Sequence, residues 1–363
     1  MRIGGEFEIR MESILRSPEV GNFLPIKKKK YTWVDTGRAA LFVALQEIVR
    51  KGMKREAWLP VFCCESVVAP FRQLGFTIHF YSMGEDLLSP SGLPPSLENT
   101  TFLFINYFGK NNKPIIEWIK QNRSASTIII EDNVQAPLSE NVGNIGDYVI
   151  YSLRKILPQP DGAILAYNGE TIEAHLLPPD EQFISEKVIG KIMRGAKGDP
   201  DTFLPLFSNS EEKIDAIVQP RMMSTFSRFL FERTNLIEVR ETRIRNWTLL
   251  HDRLHVGKHD EQAFRPLYCS LEDGEVPLGY PIVVRKQRRD DIRRALAARN
   301  IFCPVHWPIS EDREGYRESF KDIQLSLSIL TLPIDQRVTP WEIDYLVETL
   351  THLVGEDIHH EGK

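Results

Sequence analysis

Long apolar segments are missing from this chain of 363 residues, and their absence excludes several classes of protein. No stretch approaches the roughly 20 consecutive apolar residues that a helix needs to span a bilayer. The first ten residues, M-R-I-G-G-E-F-E-I-R, lack the apolar centre of a secretory signal peptide. We therefore expect no membrane partner and a cytoplasmic location.

Cysteine is also scarce: the chain has four, and two of these are the adjacent Cys63 and Cys64. This number and spacing provide neither a disulfide framework nor a CxxC pair, and we expect no metal site. The chain also has no large excess of charge of either sign. It contains 45 Lys and Arg residues and 50 Asp and Glu residues, which gives a net charge of −5. This balance does not predict binding to nucleic acid, so small molecules and other protein chains remain as partners.

The order of the predicted elements favours an α/β fold. Short apolar runs alternate with helical patterns in the first half of the chain, which predicts a mostly parallel sheet covered by helices on both faces. The chain is longer than one hydrophobic core usually allows, so we expect two domains. These are a large domain over residues 1–234, and a linking helix with a small α+β domain over residues 235–363. In the second, residues 325–332 alternate like a strand.

Three apolar runs in the middle of the chain are too short for helices and are rich in Ile, Val and Tyr. They cover residues 127–130, 148–153 and 163–167, and are typical of buried strands. In open α/β sheets a ligand binds beyond the carboxyl ends of the strands. Four reactive or polar residues lie at or just past these ends: Asp132, Gln135, Ser152 and Lys155. The sequence therefore outlines a cofactor site.

Lys155 and Asp132 carry the chemistry of this stretch. Desolvation at the mouth of an apolar sheet makes a lysine amine a better nucleophile towards an aldehyde. A solvated lysine in a surface loop is the alternative. A carboxylate at the end of a buried strand needs a partner. Pyridoxal phosphate supplies one, because an Asp paired with its pyridinium nitrogen lets the ring accept electrons, and Gln135 can donate to the ring oxygen.

A second motif lies upstream, where the strand-like residues 31–35 run through Thr36 and Gly37 into a helical pattern. Thr36 is a suitable N-cap, and Gly37 lets a ligand approach the backbone. The first N–H groups of such a helix suit a phosphate, which Arg38 and Ser152 would help to hold. The same pattern also occurs as an ordinary capped turn in α/β proteins.

Together, T-G-R-A-A-L, I-I-I-E-D-N-V-Q-A and G-D-Y-V-I-Y-S-L-R-K resemble motifs of the fold type I pyridoxal-phosphate sugar aminotransferases, the DegT/StrS family. The family pattern runs S-G-T-A-A-L, E-D-A-A-Q-A and S-F-H-x-x-K. Residues 305–308 (V-H-W-P) and 327–335 (L-S-I-L-T-L-P-I-D) are similar to its C-terminal motifs. The segment S-L-R-K is two residues shorter than its family counterpart, whereas the spacing from Lys155 to Gly162 matches.

The resemblance implies a role for each residue of the cofactor site. Lys155 would be the catalytic residue that binds pyridoxal phosphate covalently. Asp132 would pair with the pyridine nitrogen, and Gln135 would contact the cofactor. The phosphate would be held by Gly37, Arg38 and Ser152.

The resemblance also implies contacts around the cofactor. Cys64 falls where the family has an aromatic residue stacked on the ring, which leaves the neighbouring Phe62 as a candidate for that contact. His306 would face the substrate. Family members are homodimers in which each chain completes the other's site, and Ser227 and Arg228 would make that contribution here.

By the same resemblance, the reaction transfers an amino group from glutamate or glutamine to a keto sugar, often nucleotide-linked. Two alternatives remain. One is a pyridoxal-phosphate-dependent sugar dehydratase, a branch in which a histidine typically replaces the lysine, so that Lys155 argues against it. The other is a non-catalytic binding or sensory protein of the same fold, which Cys64 and the shortened S-L-R-K segment motivate.

Overall fold

The computed structural model describes residues 2–19, 24–215, 218–256, 263–285, 288–309, 313 and 320–355. The strands are β1 (Ile3–Gly4), β2 (Lys30–Val34), β3 (Glu56–Pro60), β4 (Thr77–Tyr81), β5 (Thr101–Ile105), β6 (Ile128–Asp132), β7 (Tyr148–Ser152), β8 (Ala163–Tyr167), β9 (Phe264–Pro266), β10 (Tyr280–Val284), β11 (Ile301–Phe302) and β12 (Ile329–Leu332). The helices are α1 (Met11–Leu15), α2 (Gly37–Arg50), α3 (Glu65–Gln73), α4 (Lys113–Asn122), α5 (Glu181–Gly195), α6 (Pro200–Asp215), α7 (Thr225–Glu232), α8 (Leu236–Val256), α9 (Arg289–Ala298), α10 (Phe320–Ser328) and α11 (Pro340–Gly355). Over these ranges, no helix combines the length and the apolar character that crossing a bilayer demands.

A seven-stranded sheet organises the first half of the chain, in the order β2-β8-β7-β6-β5-β3-β4. Strand β8 runs antiparallel to both of its neighbours, and the other pairs are parallel. Every residue of β5, β7 and β8 is buried, as expected for strands with helices on both faces. The predicted α/β fold with a mostly parallel sheet is confirmed.

The direction of the strands decides where the polar residues go. Because β8 alone is reversed, β2, β3, β5, β6 and β7 all end at the same edge of the sheet. The pairing register puts Asp132 of β6 between Ile105 of β5 and Ile150 of β7. Helix α2 begins just past the end of β2, and its apolar face packs on the sheet from Ala39 to Ile48. The carboxyl edge therefore gathers residues that are far apart in the chain.

The C-terminal part has its own core, formed around the antiparallel sheet β12-β10-β9. Helices α8, α9 and α11 pack on this sheet, with Trp247, Ile282 and Ile343 among the buried residues. The N-terminal strand β1 pairs with β11, which places Ile3 in the same core. The start of the chain therefore joins the two parts, and the division at residue 234 stays a prediction.

The strand expected over residues 325–332 is only half correct. Helix α10 continues to Ser328, and the strand β12 begins at Ile329. The alternation L-S-L-S-I is compatible with a strand, but the segment continues a helix whose first turn is anchored to the large domain, where Asp322 accepts a hydrogen bond from the Met83 N–H at 2.9 Å. The contact joins residues 239 positions apart, so no local pattern contains it.

Candidate functional site

A cavity of about 1060 Å³ lies at the carboxyl edge of the large sheet. Its walls come from the turns after β2, β3, β6 and β7 on one side, and from α9, β11 and β12 on the other. It brings together eight of the predicted site residues: Gly37, Arg38, Cys64, Asp132, Gln135, Ser152, Lys155 and His306. The two halves of the chain thus share one site.

Asp132 is the last residue of β6, and only 6% of it is exposed. Its Oδ1 accepts a hydrogen bond from the Val134 N–H at 2.8 Å. Burial raises the pKa of Asp132 to about 6, although the Val134 hydrogen bond and the positive charge of Lys155 act against this rise. A cationic N–H partner would stabilise the ionised form of this buried carboxyl group.

Lys155 lies in the turn that follows β7, and its side chain is exposed. The turn is closed by the Leu153 carbonyl, which accepts hydrogen bonds from Ile156 N–H at 3.0 Å and Leu157 N–H at 2.9 Å. The charge of Lys155 influences Asp132 in the same cavity. An amine and a buried carboxylate therefore face one space, but the desolvation expected for Lys155 is not found, because the turn leaves its side chain exposed.

The turn is also held from the C-terminal half. The Ile156 carbonyl accepts hydrogen bonds from Gln336 Nε2 at 2.8 Å and from Arg243 Nη2 at 3.5 Å. Arg243 is buried on α8, and Nη1 donates to the Leu278 carbonyl at 2.8 Å. Burial lowers the pKa of Arg243 to about 10. Neither Arg243 nor Gln336 was predicted, because in the sequence Arg243 is one of many charges on an amphipathic helix.

Gln135 offers an unused hydrogen-bond donor to the cavity. Its Oε1 accepts a hydrogen bond from the Phe108 N–H at 2.9 Å, which fixes the orientation of the amide. Gln135 is 2% exposed, and its Nε2 has no hydrogen-bond partner among the residues described. A buried amide N–H₂ without a partner is costly. A ligand oxygen in the cavity would remove this cost.

The start of α2 forms a narrow part of the cavity wall. Thr36 caps the helix, because its Oγ1 accepts a hydrogen bond from the Ala39 N–H at 3.1 Å. A Cβ atom added at Gly37 would lie 3.1 Å from Val134 Cγ2 and 3.8 Å from Ser152 Cβ. A side chain here would thus fill the space in front of the helix N-terminus, where an anion binds well.

His306 faces the cavity from the segment between β11 and α10. Its Nδ1 lies 3.0 Å from Thr331 Oγ1, and its ring meets that of Phe108 edge-to-face at 5.6 Å. Burial, together with the charge of Lys155, lowers the pKa of His306 to about 3. The imidazole is therefore neutral at physiological pH and offers a hydrogen bond rather than a charge.

Phe62 is not brought to the cavity. It is fully buried and packs against the rings of Tyr107 and Trp307, at centroid distances of 5.9 and 5.8 Å. Trp307 and Cys64, in contrast, line the cavity. Phe62 thus supports the wall from behind instead of meeting a ligand, because its strand-end turn points it into the core.

Ser227 and Arg228 also lie outside the cavity of their own chain. Ser227 is buried at the start of α7 and hydrogen-bonds Asp161 with its hydroxyl group. Arg228 is exposed, lies over the Trp33 ring at 4.8 Å and pairs with Glu232 at 3.5 Å. A contribution of these two residues to a neighbouring chain's site stays a prediction.

Comparison with solved structures finds proteins that share this fold along the whole chain. PseC from Helicobacter pylori, an aminotransferase involved in the biosynthesis of pseudoaminic acid, matches with a TM-score of 0.67 at 12% identity, over 98% of this chain and 100% of PseC. Spr1654 from Streptococcus pneumoniae in its apo form has a TM-score of 0.67 at 14% identity, over 100% of both chains. Its PLP form has a TM-score of 0.64 at 14% identity, over 98% of this chain and 99% of that one.

DesV from S. venezuelae, in complex with a ketimine intermediate, matches with a TM-score of 0.62 at 14% identity, over 91% of this chain and 86% of DesV. At such identities these likenesses establish a shared fold, and the predicted fold type I architecture is confirmed. No protein-family model matches the chain. No curated protein sequence matches it either.

Proposed function

We propose that this chain is a pyridoxal-phosphate-dependent aminotransferase that transfers an amino group to a keto sugar. The observation that carries the proposal is one cavity that contains the Lys155 amine, the buried Asp132 carboxylate and the Nε2 of Gln135, which has no partner among the described residues. Proteins that share the fold include the aminotransferase PseC and the PLP form of Spr1654. Glutamate or glutamine would be the amino donor, and a nucleotide-linked keto sugar the acceptor.

The residues in the cavity fit this cofactor. The buried Asp132 gains a cationic partner if it pairs with a protonated pyridine nitrogen, and Gln135 Nε2 gains an acceptor in the ring oxygen. The phosphate fits at the N-terminus of α2, held by Gly37, Arg38 and Ser152. When bound through Lys155, pyridoxal phosphate supplies an electron sink for the substrate carbon that loses its proton.

The chain's own residues would then divide the work of the reaction. Asp132 keeps the proton on the pyridine nitrogen, because the ionised carboxylate is stable in this buried place only beside a positive charge. Lys155, once freed from the cofactor by the incoming amino donor, would be the base that takes the proton from the substrate carbon bearing the amino group and would deliver it to the cofactor carbon bonded to the same nitrogen. The neutral His306 donates or accepts one hydrogen bond to orient the substrate.

The proposal includes a homodimer in the cytoplasm, in which the exposed Arg228 reaches the site of the neighbouring chain. Ser227, expected beside it, is buried and hydrogen-bonded to Asp161, so its role is to hold the start of α7. Two large exposed apolar residues support a further protein contact: Leu15 on α1 is 77% exposed and Ile237 on α8 is 70% exposed. The four cysteines are free, which is compatible with a reducing compartment. We retain the division into residues 1–234 and 235–363 as part of this proposal.

The test is reconstitution of the purified chain with pyridoxal phosphate. We expect a visible absorbance band that glutamate abolishes, and that returns when a keto sugar from a panel is added. Lys155→Ala should show no covalently bound band after gel filtration, whereas Lys113→Ala, an exposed lysine paired with Glu272, should behave as the wild type. The proposal fails if Lys155→Ala retains the band, or if no amino donor changes it.

A non-catalytic binding or sensory protein is the second candidate. The presence of Cys64 in the cavity wall, at the position where the family has a stacking aromatic residue, favours it. Such a protein would hold the cofactor, and its absorbance would persist in the presence of glutamate and glutamine. The same titration therefore decides between the two functions.

A further inference from the structure

Asn106, the residue that follows β5, holds three consecutive residues at the end of β6. Its main-chain N–H donates a hydrogen bond to the Asp132 carbonyl at 3.0 Å. Its side-chain Nδ2 donates to Glu131 Oε1 at 3.0 Å and to Asn133 Oδ1 at 2.6 Å. The middle residue of the three carries the carboxyl group that the proposed function pairs with the cofactor. We call Asn106, Glu131 and Asn133 the strand-end clamp.

The side chain of Asn106 uses its full hydrogen-bonding capacity in the strand-end clamp. Its Oδ1 accepts a hydrogen bond from the Asn112 N–H at 2.9 Å, which fixes the end of the amide that points towards β6. The two N–H bonds of Nδ2 are then taken by Glu131 and Asn133. A buried amide without partners is costly, whereas a fully paired network rigidifies its surroundings. One arrangement of these side chains is therefore strongly favoured.

The strand-end clamp is also anchored away from β5. The carboxyl group of Glu131 accepts hydrogen bonds from the main-chain N–H groups of Ile145 at 3.1 Å and Gly146 at 3.0 Å, in the loop before β7. The Asn133 N–H donates to the Ile150 carbonyl of β7 at 2.8 Å. All three side chains of the strand-end clamp are fully buried. The end of β6 is thus held from both neighbouring strands and from the loop between β6 and β7.

The strand-end clamp lies behind the site and not in it. Successive side chains of an extended chain point to opposite faces of a sheet, so Glu131 and Asn133 point away from the face that Asp132 occupies. Asp132 lines the cavity, and none of the three residues of the strand-end clamp does. The strand-end clamp can therefore influence the chemistry only by fixing the main chain that carries the Asp132 carboxyl group.

We propose that Asn106 is a positioning residue that aims the Asp132 carboxyl group at the ring nitrogen of the cofactor. The inference rests on the proposed function, because that nitrogen is the partner for which Asp132 is positioned. A charge-assisted hydrogen bond between a carboxylate and a pyridinium N–H is directional, and a misplacement of about 1 Å weakens it. Without Asn106, the side chains on both sides of Asp132 lose the donor that they share.

A role in stability alone is the alternative, because a buried asparagine that bridges two strands and a loop also holds the fold together. Such a role would affect every ligand of the cavity to the same degree. A positioning role would instead affect only ligands that contain the ring nitrogen. The two roles are therefore separated by comparing two ligands that differ at this one atom.

The experiment measures the binding of two ligands to the full-length chain. Because Trp307 lines the cavity, tryptophan fluorescence reports ligand entry. One ligand is pyridoxal phosphate, and the other is its analogue with a C–H group in place of the pyridine nitrogen, which we call the carbon analogue. The wild type should bind pyridoxal phosphate about 10-fold more tightly than the carbon analogue, because only the first forms a charged pair with Asp132.

Asn106→Leu should remove most of this preference. It should weaken the binding of pyridoxal phosphate about 10-fold and leave the affinity for the carbon analogue unchanged. Asn133→Ala removes one of the two acceptors of the amide, so it should give a smaller change in the same direction. If Asn106→Leu does not fold, the same comparison with Asn133→Ala decides.

Thr127→Val is the matched control, because it removes a buried hydrogen bond at the other end of β6. Thr127 is buried, and its Oγ1 donates to the Leu97 carbonyl at 2.8 Å. This variant should lower the melting temperature and leave both affinities unchanged.

Three results would overturn the positioning role. The first is that Asn106→Leu or Asn133→Ala weakens the binding of both ligands to the same degree. The second is that neither variant changes either affinity. The third is a wild type that binds the two ligands equally, because Asp132 is then not aimed at the ring nitrogen.

These outcomes are separate from that of the proposed function, because binding requires no amino donor. A chain whose preference for pyridoxal phosphate depends on Asn106, but which never exchanges an amino group, would refute the aminotransferase and keep the positioning role. A chain that reacts with glutamate, and whose variants lose both ligands equally, would refute the positioning role alone. A wild type that binds neither ligand would refute both.

Discussion

The side-chain amide of Gln336 donates a hydrogen bond to the main-chain carbonyl of Ile156 over 2.8 Å. This contact joins the segment after β12 to the turn that carries Lys155, 180 positions away in the chain. Arg243 strengthens it, because Nε donates to Gln336 Oε1 at 3.0 Å and Nη2 donates to the same Ile156 carbonyl at 3.5 Å. The position of the reactive amine is thus set by the C-terminal part of the chain.

We expect Gln336→Leu to reduce kcat about 10-fold or more, because the turn loses a buried hydrogen bond worth about 1 kcal/mol and Arg243 loses an acceptor. The pH midpoint of the lysine-bound cofactor's absorbance should shift, since the amine changes its surroundings. Gln182→Leu, on the exposed face of α5, is the control and should change neither quantity. If Gln336→Leu lowers the melting temperature but leaves the pH midpoint of the absorbance unchanged, Gln336 contributes to stability and does not position Lys155.

Asp132→Asn should stabilise the cofactor-free chain while abolishing activity. The pKa of Asp132 is raised to about 6 from 3.8 in the folded chain, so ionisation of this carboxyl group favours the unfolded state. The destabilisation grows as the pH rises from about 4 to 6 and is complete above pH 6. Asp132→Asn should therefore increase the free energy of unfolding by about 3 kcal/mol at pH 8 and by about half of that at pH 5. Urea unfolding at both pH values measures it.

Asp273→Asn, at an exposed position, serves as the control for this experiment. Its effect on the free energy of unfolding should be small at both pH values. An Asp132→Asn variant that is less stable than the wild type at pH 8 would show that the carboxylate already has a strong partner in the free chain.

Gly37→Ala should weaken the binding of pyridoxal phosphate about 10-fold with little change in stability. Alanine is favoured over glycine in a helix, which offsets the contact at 3.1 Å between the new Cβ and Val134 Cγ2. The methyl group would, however, occupy space in front of the helix N-terminus. Equilibrium binding of the cofactor, with the melting temperature of the free chain as the control, separates the two effects. Normal affinity would place the phosphate elsewhere.

His306 should not titrate between pH 5 and pH 9. Its pKa is lowered to about 3 by burial and by the charge of Lys155, so the imidazole stays neutral in this range. Because the unfolded chain takes up a proton near pH 6.5, this histidine should also reduce stability as the pH falls below that value. NMR of histidine-labelled protein, with His306→Gln to assign the resonance, tests the first point. A midpoint near 6.5 would contradict it.

The sequence by itself determined the large sheet and the two central residues of the site, Asp132 and Lys155. Short apolar runs indicated buried strands, and the carboxyl ends of parallel strands meet at one edge, so Asp132 and Lys155 had to lie near each other. The strands predicted over residues 127–130 and 148–153 match β6 and β7 to within two residues at each end. These features depend on local periodicity, which a sequence displays directly.

Only the tertiary structure decided which other residues reach the site. Glu6 and Gln336 come from opposite ends of the chain, and no local pattern distinguishes them from solvated residues. Phe62 was expected at the cavity and lies behind its wall, where it packs against Tyr107 and Trp307 in the core. Such positions follow from long-range packing and ion pairing between distant segments, and the physical cause is absent from any short stretch of sequence.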